Sequence, residues 1–123
     1  MGVRCIKVSA VYFAVAVILG LYMSIAGDYS LSSVHAHIAL LGWASFALAG
    51  VIYHLFPRAG ENRLAYVHFW IHNIGLPVMM ISLFLVITGQ DLFLSFLPFG
   101  AILVVLSTLL FTYNVLKNVR SRF

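Results

Sequence analysis

The stretch VHAHIALLGW, residues 34–43, decides how the chain is read. Two histidines, His35 and His37, stand two positions apart at one end of a long apolar run. Successive residues of an α-helix turn by about 100°, so an i, i+2 pair points to opposite flanks, about 200° apart. The two rings therefore do not share one ion or one cofactor face; each serves a separate site. The plainer alternative is a pair of interfacial histidines, bonded to water near a helix end. Two imidazoles in a span with no Asp, Glu, Lys or Arg favour the cofactor role, because ionisable residues inside a membrane are functional candidates by default.

Composition makes that run a membrane span. The 123 residues are 63% hydrophobic and 8% charged, with mean hydropathy +1.08, which is too apolar for a soluble domain. The net charge of +4 rests on seven basic residues, all outside the apolar runs. No basic patch interleaved with exposed aromatics remains, so nucleic acid is not an expected partner; the lipid bilayer is. Cys5 is the single cysteine, which leaves no intrachain disulfide and reads as a reduced thiol beside the membrane.

Four runs reach the roughly 20 residues that a transmembrane helix needs: 8–26, 32–56, 64–88 and 92–116. The first starts after Arg4 and Lys7 and ends Ser24-Ile25-Ala26, which mimics a signal peptide, but its length reads as a retained helix. Pro57 closes the second. The connections are short, so consecutive helices are expected to be antiparallel neighbours in a single all-α, four-helix membrane domain over 1–123. Arg4, Lys7, Arg58, Arg63, Lys117, Arg120 and Arg122 then fall on one side, and Asp28 and Asp91 on the other. The excess of positive charge places both termini in the cytoplasm and, in a bacterial or archaeal inner membrane, the His35/His37 end toward the periplasm.

Depth sorts the other histidines. His54 lies about 25 Å along the helix from His37, at 1.5 Å per residue, so the two cannot share a cofactor. His68 and His72 form an i, i+4 pair on one face of the third helix. His54, His68 and His72 therefore offer an alternative metal site near the inner side. The plainer reading makes His54 and His68 interfacial and has His72 bond a neighbouring helix. Ala36, Ala39, Gly42, Ala44, Ser45, Ala47, Ala49 and Gly50 give the second helix a small-residue surface that lets a helix or a flat macrocycle approach closely. Gly75 and Pro77 are expected to kink the third helix, with Asn73 near the freed carbonyl, and Pro98 the fourth. Met23, Met79 and Met80 are potential soft ligands, with apolar filling the commoner role. Asp28, Glu61 and Asp91 lie in loops, and no nucleophile–base pair, carboxylate pair or phosphate loop is present. What remains is imidazole in a low-dielectric span, suited to heme iron, copper or zinc.

Two motifs resemble the catalytic subunit of heme-copper oxidases and nitric oxide reductases. VHAHIALLG, residues 34–42, is similar to the family's His-x-His helix, whose first histidine binds the high-spin heme and second the low-spin heme. VHFWI followed by IG, residues 67–71 and 74–75, is similar to the HFW…IG stretch of the next helix. The resemblance covers all four helices and matches the last four of the family's twelve, one third of that subunit. The copper histidines and the propionate-binding arginine pair have no counterpart; TGQD, residues 88–91, stands where the arginines are. Copper and family-type dioxygen reduction are therefore not expected.

The family's twelve helices form three similar arcs around a pseudo-threefold axis, so a one-arc chain implies a homotrimer, with a dimer as the alternative. His35 of one chain and His37 of the next would then hold a six-coordinate heme b at each subunit interface. The resemblance thus implies an electron-transferring membrane cytochrome without independent catalysis, its donor and acceptor unspecified. Two alternatives stay open: a five-coordinate heme that binds or reduces oxygen or nitric oxide, and a heme-free structural subunit or small carrier using His54, His68 and His72.

Overall fold

The computed structural model describes residues 1–121; Arg122, assigned above to the basic end, lies outside them. Four helices are long and apolar enough to cross a membrane. They are α1 (Gly2–Ala26), α2 (Ser32–Leu55), α4 (Arg63–Ile87) and α5 (Phe96–Asn118), the last preceded by a 3₁₀ turn over Asp91–Ser95. A one-turn helix, α3 (Pro57–Gly60), joins α2 to α4. No strand occurs among the described residues. Large apolar side chains such as Ile25, Leu92 and Leu116 are about 80% exposed (78%, 80% and 79%), as expected of helices bathed in lipid.

Local chemistry explains the helix ends. Gly27 takes φ 62° and closes α1, with the Asp28 N–H reaching the Met23 carbonyl, a left-handed glycine cap. Phe56 is forced out of the helical region by Pro57, at φ −123° and ψ 81°, so α2 stops at Leu55. Asn62 caps α4 by accepting from the Ala65 N–H at 2.9 Å. At the other end Asp28 accepts from the Ser30 N–H, which holds its carboxyl below the usual carboxylate range.

Three expectations need correction. The first helix begins at Gly2, not residue 8, and so includes Arg4 and Lys7, whose long stems let a charged head stay in water. Pro98 is the third residue of α5, inside the first turn, where its missing N–H interrupts no helical bond. Cys5 does not sit beside the membrane but is fully buried in the α1–α2 contact. Pro77 is accommodated within the continuous α4.

The helices pair as two antiparallel hairpins, α1 with α2 and α4 with α5. Glycines set the close contacts. A Cβ on Gly100 would lie 2.5 Å from the Met79 nitrogen, and one on Gly75 2.7 Å from the Leu103 Cβ, so α4 and α5 meet backbone to side chain. A Cβ on Gly42 would lie 2.6 Å from the Tyr12 ring, and one on Gly50 2.9 Å from the Gly2 carbonyl. These small residues of α2 therefore serve ordinary helix packing. Tyr12 also crosses to the second hairpin, donating to Asn73 Oδ1 at 3.0 Å. Met23, Met79 and Met80 fill the core cluster at the acidic end, together with Leu76 and Val104.

Candidate functional site

The decisive local feature is a seven-residue π-helical segment, Ile38–Ala44, that begins immediately after His37. The Ser45 N–H bonds back to Leu40, five residues earlier. Such widened turns inside α-helices are concentrated at functional sites.

Outside that turn, the two histidines of α2 leave the helix on different sides. His35 is half-buried against α1: its Nδ1 lies 2.8 Å from the Ala16 carbonyl. Its Cε1 lies 3.0 Å from where a Cβ of Gly20 would be, so glycine makes the space for the ring. His37 is exposed, and its Nδ1 lies 2.7 Å from the carbonyl of Ser33 on its own helix. It lines a shallow cavity of about 270 Å³ with Ala36, Leu40 and Leu41. A carbonyl only accepts, so in both rings Nδ1 carries the proton and donates it, leaving Nε2 with the lone pair. That is the tautomer in which a histidine ligates a metal while its other nitrogen is anchored to backbone.

Between α2 and α4 lies a second group of polar side chains. His68 and His72 of α4 are each 4% exposed, with ring centroids 5.8 Å apart. The Tyr53 hydroxyl is 2.9 Å from His68 Nδ1. Phe46 stacks on His72 at 4.4 Å and 12° between planes, and Phe111 packs on His68 at 5.2 Å. His72 Nε2 is buried without a hydrogen-bond partner. The interfacial reading of His68 is thus replaced by burial under aromatic rings. His54 does not join them. It lies on the exposed side of α2, its Cβ against Gly2, and no cluster of three metal-ligating groups occurs among the described residues.

Two residues of this region were not singled out from the sequence. Tyr53 supplies the polar partner of His68. Asn114, fully buried, donates to the Ala59 carbonyl at 2.9 Å and accepts from Asn62 and Asn118 at 2.8 Å each, tying α3 to α4 and α5. The available signal was a polar amide and a phenol inside otherwise apolar spans, where every polar group needs a partner. Compared with known protein families, curated proteins and solved structures, the chain gives no match.

Proposed function

We propose that the chain is a heme b-binding membrane cytochrome, built like one arc of the heme-copper oxidase catalytic subunit, that passes electrons. The supporting observation is the paired tautomer lock: His35 and His37 each donate Nδ1–H to a backbone carbonyl, at 2.8 and 2.7 Å, which leaves each Nε2 unprotonated. The residues fit the group. His37 stands exposed on an apolar surface with Ala36, Leu40 and Leu41, and Gly20 gives His35 a fixed place beside α1. The two imidazoles lie on opposite flanks, so one heme takes His35 from one chain and His37 from its neighbour, in a homotrimer or, failing that, a dimer. The heme supplies a one-electron couple; the protein supplies ligation, orientation and a low-dielectric shell.

The same reading sets the basic end and both termini in the cytoplasm of a bacterial or archaeal cell, and the histidine pair toward the outside. Copper has no place in it. The test is the optical spectrum of the purified protein, oxidised and reduced. The His35→Ala and His37→Ala variants are expected to lose low-spin heme, while His54→Ala and His68→Ala retain it. Equal loss from all four would overturn the assignment.

A second reading has one observation in its favour. His37 is exposed whereas His35 is held against α1, so His37 alone would give a five-coordinate heme able to bind oxygen or nitric oxide. Carbon monoxide added to the reduced protein separates the two: an immediate large Soret shift favours the open iron.

A further inference from the structure

We infer that the cleft between α2 and α5, floored by His68 and His72, binds the hydroxylated ring of a lipid-soluble quinol. The inference does not depend on the heme reading. The cleft has a volume of about 300 Å³, at the lower end of cavities that take small organic ligands. Leu41, Ser45, Phe46 and Ala49 of α2 form one wall, and Thr108, Phe111 and Thr112 of α5 the other. Ser45, Thr108 and Thr112 are exposed on the flank of the bundle, at membrane depth, so the mouth opens sideways into lipid rather than to water.

The floor points to an occupant with polar atoms. His72 is 4% exposed, yet its Nε2 has no partner. An unsatisfied polar atom in a hydrocarbon setting is strongly disfavoured, so a buried imidazole that lines a cleft and leaves one nitrogen without a partner is a site for a hydrogen bond. In the tautomer that carries its proton on Nδ1, Nε2 is an acceptor.

The hydroxyls agree. Thr108 donates to the Val104 carbonyl at 3.0 Å and Thr112 to the Thr108 carbonyl at 2.9 Å. Both protons are engaged within α5, so both oxygens present lone pairs to the cleft. Three acceptors on two sides of a slot walled by Phe46 and Phe111 call for a flat ring that donates from more than one position. A hydroquinone has that pattern. A quinone, which only accepts, does not. Two imidazoles with no third ligand make a poorer metal site.

The experiment uses the full chain in lipid nanodiscs, titrated anaerobically with a decyl-tailed benzoquinol and, separately, its quinone, with Trp43 and Trp70 fluorescence as the readout. Saturable binding is expected, at least about fivefold tighter for the quinol than for the quinone. His72→Leu should weaken quinol binding by about tenfold, the equivalent of one hydrogen bond. Thr112→Trp, which closes the mouth while leaving the floor intact, should abolish binding even if His72→Leu perturbs folding. His54→Ala should leave the affinity within about twofold. A photoreactive azido analogue should label α2 and α5 at the cleft. No saturable binding, a quinone that binds as tightly as the quinol, unchanged affinity in Thr112→Trp, or labelling confined to the apolar groove that Val15 and Ile18 of α1 line with Ile81 and Phe84 of α4 would each overturn the inference.

Discussion

Gly20 offers a way to disturb the proposed heme ligand without touching it. A methyl group at position 20 would lie 3.0 Å from Cε1 of His35. Carbon atoms pack at about 3.5–4.0 Å, so Gly20→Ala obliges the ring to retreat by roughly 0.5 Å. The His35 Nδ1 to Ala16 carbonyl distance, now 2.8 Å, then lengthens to about 3.3 Å and the bond loses most of its alignment. The net loss to the fold is about 0.5–1.5 kcal/mol. Alanine in place of glycine within a helix returns about 0.8–1.0 kcal/mol, so global stability should change by less than about 1 kcal/mol. Heme affinity should not be spared. Losing a backbone anchor behind a ligating histidine costs about 10–100-fold; about tenfold is expected for alanine and more for Gly20→Val. The assay is heme titration of the apoprotein at the Soret band, alongside detergent unfolding of the same samples. Parent affinity and parent spectrum in both variants would refute the role of His35.

Two further outcomes follow from the same contacts. Asn114→Leu removes three hydrogen bonds at once and strands the Ala59 carbonyl and one amide N–H each of Asn62 and Asn118; unfolding in mixed micelles should show a loss of about 2–4 kcal/mol, and a loss under about 1 kcal/mol would contradict the bridging role. If heme is held between copies, its extraction should weaken the oligomer, because a ligand bound only by the assembled state stabilises that state; native mass spectrometry that finds equally strong assembly with and without heme would count against shared ligation.

The sequence revealed the spans and the opposed histidines because those follow from length, hydropathy and a fixed turn per residue. Which face of each helix meets its neighbours was much less legible. In lipid the outer face is as apolar as the core, so a helix such as α4 carries no polar stripe to orient it. His54, His68 and His72 consequently looked alike in sequence, although one lies on the exposed side and two are buried under aromatic rings. The partner of His68 turned out to be Tyr53, whose ring also meets Phe111 at 5.6 Å, a tertiary fact that spacing along the chain does not contain. The role of Gly75 and Gly100 as the α4–α5 contact was hidden for the same reason: the sequence shows a flexible residue, and only the fold shows the neighbouring backbone.

The π-turn in α2 explains how one helix serves two places. His35 and Phe46 are eleven residues apart. On an unbroken α-helix, eleven steps of about 100° bring a side chain back to within roughly 20° of where it started, so Phe46 would overlie the face that carries His35. Instead His35 packs on α1 while Phe46 stacks on His72 of α4. One extra residue in the turn rotates everything after it by about 100°, which accounts for the change of face. Deleting Leu40, which lies in the segment and is 62% exposed to lipid, should return the turn to α-helical bonding. Each half of α2 would still be helical, but the halves could no longer both meet their partners. The variant is therefore expected to insert and remain helical, to unfold more readily than the parent, and to keep either the heme spectrum or quinol binding, not both. A deletion that preserved both, at parental stability, would mean that the π-turn does not set the two faces.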